Sequence, residues 1–440
     1  MTSETPGVSP FCLDGKPRKK LRAGSPKEPV PYPKSLSLIR RACPLSEEPV
    51  PCPRSLSLIR RACPLSEEPV PCPRSLSLIR RACPLSEEPV PCPKSLSLVR
   101  RACPLLGGSK WRDGVNWGFP ELFGAGCISG MSKTAFLFAG QGAQSVGMGK
   151  DLAATFPTAR ALFDQANQVL GYDLASICFE GPESALTLTE NAQPGIYLMS
   201  WVALRLLQER LPTLQADATA GLSLGEFTAL AAAGAMSFED GLMITRLRGR
   251  FMQEACDATR GGMAAVIGLD EGPCREVCEA SGVTLANLNC PGQIVISGDL
   301  DRIPAAVEAA KAKGAKKAIP LTVAGAYHSP LMASAQPRLS EALANISLRN
   351  PQVPVVSNVT ALPHGSAATI SPILVDQVTS SVRWEASMRY LLAQGFTRFI
   401  ELGPGSALSG FLRRIDKSAQ AFNVCDVASL EATVQALGGV

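Results

Sequence analysis

No stretch of this 440-residue chain is apolar enough to cross a bilayer. The longest apolar runs, Phe227–Met236 and Ile196–Leu204, are interrupted by Thr228 and Ser200 and fall well short of the ~20 residues a membrane helix needs. The polar, proline-rich start, Met1–Pro33, lacks the apolar core of a secretory signal. Histidine is nearly absent, with only His328 and His364. Metal-type cysteine spacing is missing too. Nine of the fifteen cysteines fall in 1–130, mostly placed by a repeat. The other six, Cys178, Cys256, Cys274, Cys278, Cys290 and Cys425, read as small buried apolar residues of a protein in a reducing, cytoplasmic compartment. No metal site and no cofactor are expected.

A basic excess is missing where it would matter. The formal charge of +5 divides into +9 on residues 1–130 and −4 on 131–440, so the global balance gives no argument for nucleic-acid binding. The chain is two unlike sequences joined end to end. After a tail at 1–27, residues 28–107 are four nearly identical 20-residue units, the second running Glu48–Glu67. Four prolines per unit leave only Ser-Leu-Ser-Leu-Ile-Arg-Arg-Ala-Cys between breakers, too short for a stable helix or sheet. Solenoid repeats diverge on their outer faces, whereas these scarcely diverge, as after recent tandem duplication. Disorder is the expectation for this segment, with 108–130 as linker. Met131 opens Met-Ser-Lys-Thr-Ala-Phe-Leu-Phe, which reads as a natural protein start.

From Thr134 the pattern alternates short apolar strands with amphipathic helices. Strands are expected at 135–139, 218–222, 353–357 and 397–401. Helices are expected at about 149–170, 196–211, 224–234, 237–258, 330–345 and 371–394. Between about 259 and 324 the order becomes β-α-β-β-α-β, the ferredoxin-like unit. The predicted fold is α/β, a parallel sheet with a nucleophile elbow, plus an inserted α+β small domain.

Three features carry chemistry. Gly221-Leu222-Ser223-Leu224-Gly225 joins a strand to an alanine-rich helix, a turn too tight for side chains at the glycines, and exposes Ser223 above a helix N-terminus. Gly140-Gln141-Gly142-Ala143-Gln144 follows the first strand. It lacks the third glycine and the acid of a dinucleotide loop, and suits backbone N–H groups aimed at an oxyanion. A serine nucleophile needs a base. His364 lies in Leu-Pro-His-Gly, a turn expected to be solvent-exposed, while His328 lies where the small domain returns to the large one and is the favoured candidate.

With Arg248-Gly-Arg-Phe-Met-Gln253, Asn287-Leu-Asn-Cys-Pro-Gly-Gln293, Ala326-Tyr-His-Ser-Pro-Leu-Met332 and Glu401-Leu-Gly-Pro-Gly405, these motifs resemble, in order, those of malonyl-CoA:acyl carrier protein transacylases. The resemblance covers 131–440 and none of 1–130. It implies that Ser223 is the nucleophile and His328 the base, with the main-chain carbonyl of Gln377 orienting the imidazole in place of a triad aspartate. It further implies an oxyanion hole from the N–H groups of Gln141 and Leu224, and Arg248 as the group that binds the malonyl carboxylate. Spacing alone does not separate Arg248 from Arg246 and Arg250 on the same helix. Asn287 and Asn289 are expected to support the reacting residues from behind. Leu222 departs from the family, where many members carry histidine, and Tyr327 matches the malonyl-selective pattern.

The implied partners are malonyl-CoA, as substrate, and acyl carrier protein, whose phosphopantetheine thiol accepts the malonyl group from a malonyl-serine intermediate in fatty acid biosynthesis. The enzyme is expected to be a monomer. Docking an acidic carrier would need a basic patch, with Lys311, Lys313, Lys316 and Lys317 or Arg413, Arg414 and Lys417 as candidates. Two alternatives share the elbow. An acyltransferase of a polyketide or polyunsaturated fatty acid pathway would differ only in its carrier. A serine thioesterase or esterase would want an acidic triad member and an apolar pocket without a carboxylate clamp.

Overall fold

The computed structural model describes residues 132–438. The tail, repeats and linker assigned to 1–130, and the expected start at Met131, lie outside the described residues.

Along the chain, β1 (Lys133–Phe138) is followed by α1 (Lys150–Thr155), α2 (Pro157–Leu170), α3 (Leu174–Glu180), α4 (Glu183–Leu186) and α5 (Thr189–Arg210). Next come β2 (Ala218–Gly221), α6 (Leu224–Ala232) and α7 (Phe238–Asp257). A second run consists of β3 (Gly261–Ile267), α8 (Glu271–Ser281), β4 (Thr284–Cys290), β5 (Gln293–Asp299), α9 (Ile303–Ala312) and β6 (Lys317–Pro320). The chain returns through a short 3-10 turn, Pro330–Met332, to α10 (Ala335–Ala344), β7 (Val355–Val356), α11 (Ala367–Gln377) and α12 (Trp384–Ala393). It ends with β8 (Phe396–Leu402), α13 (Ala407–Ile415), β9 (Gln420–Val424) and α14 (Val427–Gly438).

Five strands pair in parallel, in the order β7-β2-β1-β8-β9. Parallel neighbours need crossovers, and helices on both faces supply them. The two-residue period of β1 divides the core accordingly. Phe136 and Phe138 join a cluster with Tyr197, Leu230 and Met252, while Ala135 and Leu137 pack with Trp384, Met388 and Leu412. Because β2 and β8 flank β1, the chain switches direction across the sheet at β1, the position where open α/β sheets place a ligand at the strands' carboxyl ends.

The second sheet is antiparallel, ordered β4-β5-β3-β6. One face packs on α8 and α9 through Ala264, Val266, Leu285, Ile294, Ile296, Val277 and Val307. Met263, Asn287, Asn289 and Val295 line a cavity that they share with Ser223.

Several element boundaries differ from expectation. The helix expected at 149–170 is two, because Phe156 is extended (φ −117, ψ 120) before Pro157, which opens α2. The helix expected from 196 begins at Thr189 and runs through Pro194. The helix expected at 330–345 is reduced to the 3-10 turn and α10, and the strand at 353–357 to two paired residues. The helix expected at 371–394 is also two, broken between Gln377 and Trp384, where Val382 pairs with β4. That break shapes the active site.

Candidate active site

The glycine pair around Ser223 is required by close approach. A Cβ on Gly221 would lie 1.9 Å from the carbonyl carbon of Gly225, and one on Gly225 would lie 2.2 Å from the carbonyl oxygen of Phe138. The turn they permit holds Ser223 at φ 52, ψ −102, a conformation a non-glycine residue keeps only when its surroundings enforce it. The bracing is visible: the Ser223 N–H donates to Asn358 Oδ1 at 2.5 Å, and Asn358 Nδ2 donates to the Gly221 carbonyl at 2.7 Å.

His328, itself at φ 57, meets Ser223 with Nε2 2.8 Å from Oγ. Its Nδ1 lies 2.9 Å from the main-chain oxygen of Gln377. A carbonyl only accepts, so Nδ1 carries the proton and Nε2 is left free to accept from the serine hydroxyl. Gln377 is the last residue of α11, where carbonyls lack intrahelical partners and the helix dipole ends negative. The helix break thus supplies an oriented acceptor where a triad would place an aspartate. Burial, and then the positive charge of Arg248, lower the His328 pKa from 6.5 to about 4, so the free ring is neutral.

Arg248 is the member of the α7 arginine set that turns inward, at 1% exposure. Arg246 donates instead to the Leu170 carbonyl, and Arg250 pairs with Glu254 at the surface. The Arg248 guanidinium lies against the Phe227 ring, donating to Gln193 Oε1 at 2.7 Å, Ser223 Oγ at 3.0 Å and Gln377 Oε1 at 2.9 Å. Every acceptor is neutral, and Nε has no hydrogen-bond partner among the described residues. Burial lowers the Arg248 pKa to about 10, opposed by the charge of Glu226, so the cation persists at neutral pH. A buried cation served only by amides and a hydroxyl favours an incoming anion.

The 140–144 loop packs directly on the elbow, since a Cβ on Gly140 would lie 2.5 Å from the Leu222 carbonyl oxygen. The Gln141 N–H makes no hydrogen bond among the described residues, nor does that of Leu224 at the first position of α6. A second polar string reaches this loop: Gln193 Nε2 donates to Gln141 Oε1 at 3.2 Å, and Gln141 Nε2 lies 3.4 Å from both Thr189 Oγ1 and Tyr327 Oη. The cavity, about 610 Å³, is lined by Gln141, Ser223, His328 and Tyr327 on the floor and by Asn287, Asn289 and Leu321–Ala324 above.

Two expectations are corrected. His364 is not exposed: its side chain is fully buried, with Nε2 2.6 Å from Glu226 Oε1, because the loop after β7 folds back onto the sheet. Asn287 and Asn289 do not stand behind the reacting residues. Both line the cavity, and Asn289 Oδ1 is buried without a partner among the described residues. Sequence reasoning missed Gln193, Glu226 and Asn358. Glu226 follows the elbow directly and offered a signal, an acid in an otherwise apolar helix; Gln193 and Asn358 offered none.

The profile of the Acyl transferase domain family matches residues 135–434. Malonyl CoA-acyl carrier protein transacylase of Bacillus subtilis (strain 168) is 46% identical over 312 residues, covering 70% of this chain and 98% of that protein. Among solved structures, acyl-carrier-protein-S-malonyltransferase from Bartonella henselae superposes with a TM-score of 0.67 at 40% identity, covering 70% of this chain and 99% of that one. The PlMCAT:AntF complex, a type II PKS acyl-carrier protein with its malonyl-transacylase, gives 0.67 at 38% identity over 69% of this chain and 100% of that one. The chain belongs to the malonyl-CoA:acyl carrier protein transacylase family.

Proposed function

We infer that this protein is an acyl-carrier-protein S-malonyltransferase that moves malonyl from malonyl-CoA to the phosphopantetheine thiol of acyl carrier protein through a malonyl ester on Ser223. The observation that carries this reading is Arg248, a fully buried cation 3.0 Å from Ser223 Oγ with no anionic hydrogen-bond partner among the described residues. The guanidinium offers parallel N–H donors to the malonyl carboxylate and disfavours acyl groups without one.

Ser223 Oγ attacks the thioester carbonyl as its proton passes to His328 Nε2. The N–H groups of Gln141 and Leu224 receive the developing oxyanion, each worth ~3 kcal/mol in such sites. Collapse breaks the C–S bond, and the imidazolium returns its proton to the CoA sulfur. The carrier thiol then gives its proton to His328, attacks the ester carbonyl through a second oxyanion, and leaves with the malonyl group while Ser223 is reprotonated. The Gln377 carbonyl holds the imidazole throughout. No metal or resident cofactor enters this scheme. A hydrolase is less well supported, since His328 faces a main-chain carbonyl and not a carboxylate, and the serine sits beside a cation.

The βαββαβ unit, in our reading, is a ferredoxin-like small domain inserted between β2 and β7 that roofs the cavity. The enzyme acts as a cytoplasmic monomer, and no helix among the described residues is long and apolar enough to cross a membrane. For carrier docking, Lys311 and Lys313 are engaged by Glu308 and Glu276, and Arg414 by Gln293 and Pro291. Lys316, Lys317 and Arg413 have no salt bridge among the described residues and flank segments that line the cavity, so they are the basic residues we assign to the carrier. A type II polyketide carrier is the second reading, favoured by the likeness to the PlMCAT:AntF complex. The deciding experiment is the intact mass of the full chain after brief incubation with malonyl-CoA or acetyl-CoA. A malonyl adduct lost in Ser223→Ala and absent with acetyl-CoA is expected; steady CoA release without an adduct would favour a hydrolase.

A further inference from the structure

Behind the reacting residues lies a carboxylate that the mechanism above does not use. Glu226 is fully buried, three residues after Ser223 on α6. A carboxylate removed from water at this depth persists only with its oxygens occupied. Both are. Oε1 lies 2.6 Å from His364 Nε2; Oε2 accepts from Gln377 Nε2 at 2.6 Å and from the Asn358 N–H at 3.0 Å.

The partners of Glu226 are the residues that hold the active site in shape. Gln377 places its main-chain oxygen on His328 Nδ1, its side-chain oxygen on Arg248 and its side-chain N–H group on the Ser223 carbonyl. Asn358 takes the Ser223 N–H and braces Gly221. The loop carrying Asn358 and His364 therefore grips Glu226 at two points, and is itself pinned to β7 by the His364 N–H on the Val355 carbonyl at 2.8 Å.

We propose that Glu226, held by His364, is a positioning residue that fixes Gln377 and Asn358, and through them the His328 ring and the Ser223 elbow. The proposal rests on the reading of Ser223 and His328 as the reacting pair. Released from Glu226, the Gln377 side chain keeps only its bonds to Arg248 and the Ser223 carbonyl, and the main-chain carbonyl that sets the His328 tautomer is held less tightly. Misplacements of about 1 Å in such constellations cost up to ~10²-fold in rate.

The test exploits the composition, since the chain has two histidines and each imidazole N–H is separable by 15N-edited NMR on the full-length protein. In His364→Leu the His328 Nδ1–H resonance is expected to move, and the rate of malonyl-adduct formation per folded molecule to fall roughly 10- to 100-fold with the KM for malonyl-CoA within about threefold. His364→Gln, which keeps a donor for Glu226, is expected to restore both. Glu226→Gln retains the shape and weakens the acceptor, giving a smaller shift and roughly a 10-fold slower adduct. If His364→Leu does not fold, Glu226→Gln decides alone. Variants that lower Tm yet leave the His328 resonance and adduct rate unchanged overturn the proposal, as does a His364→Gln no better than His364→Leu. A wild-type protein that forms no adduct, while its His328 resonance still responds at position 364, would sink the malonyltransferase reading and leave the coupling standing.

Discussion

The floor and the roof of the cavity use polar side chains in opposite ways. On the floor, Ser223, Glu226, Arg248, His328, Asn358 and Gln377 are buried and hydrogen-bonded to one another, so their positions are set before any ligand arrives. On the roof, Asn287 and Asn289 line the cavity from an antiparallel sheet, and Asn289 Oδ1 is buried without a partner among the described residues. The mutual hydrogen bonds of the floor suit transition-state stabilisation, and of its six residues only Arg248 leaves a buried side-chain group, Nε, without a partner among the described residues, whereas the roof asparagines stand outside that network. The floor is therefore expected to set rate and selectivity, and the roof to set affinity.

The sharpest way to break that division is to remove the floor's nucleophile. Ser223→Ala is expected to lower malonyl transfer by ~10⁴-fold or more, with malonyl-CoA binding by calorimetry nearly unchanged. Next in size is Arg248→Ala, expected to cost roughly 10²–10³-fold in kcat/KM for malonyl-CoA, because a buried charge-assisted contact is lost, and distinctly less for acetyl-CoA, for which only the Arg248 bonds to Ser223 and Gln377 are lost. Steady-state assays with both thioesters check this, and equal losses for the two would deny the clamp.

The pH profile gives a smaller effect of definite sign. Burial depresses the His328 pKa to about 4, so the neutral base survives well below the ordinary 6.5. Stopped acylation should be flat from pH 8 to about 5 and fall only towards 4; a break near 6.5 would mean a solvated imidazole. Stability follows the same group. The unfolded chain takes up a proton below about 6.5 that the native ring refuses until about 4. This contribution to stability is therefore present above 6.5 and is lost as pH falls towards 4. The smallest effect is expected on the roof. Asn289→Ala should raise the KM for malonyl-CoA by no more than ~10-fold and leave kcat within a factor of about two, the size of a single hydrogen bond. A larger loss in kcat than in KM would move the roof into the reacting machinery.

Much of the floor was legible in the chain because its signals are local. The Gly221–Gly225 turn has glycines where backbone meets backbone, and the alternating strand and helix pattern fixed the parallel sheet. Arg248 could not be told from Arg246 and Arg250 by spacing, since inward and outward faces of α7 are distinguished only by what packs on them. The helix expected across 371–394 hid the Gln377 terminus, because the residues between the two helices, Val378-Thr-Ser-Ser-Val-Arg383, include no glycine or proline to mark a stop. Val382 leaves the helix to pair with β4, a strand almost a hundred residues earlier. Boundaries decided by such pairing carry no local mark.

By itself the sequence determined the elbow and the loop at 140–144 from spacings within a few residues, the family from the resemblance of six motifs in order, and a preference for His328 over His364. Tertiary structure alone decided that His364 is buried on Glu226, that Asn358 and Gln377 meet at the back of Ser223, and that Gln193 joins Arg248 to the 140–144 loop. These contacts join residues up to 154 positions apart, and a hydrogen bond across that distance is set by how sheets and helices pack. No periodicity in the chain records it.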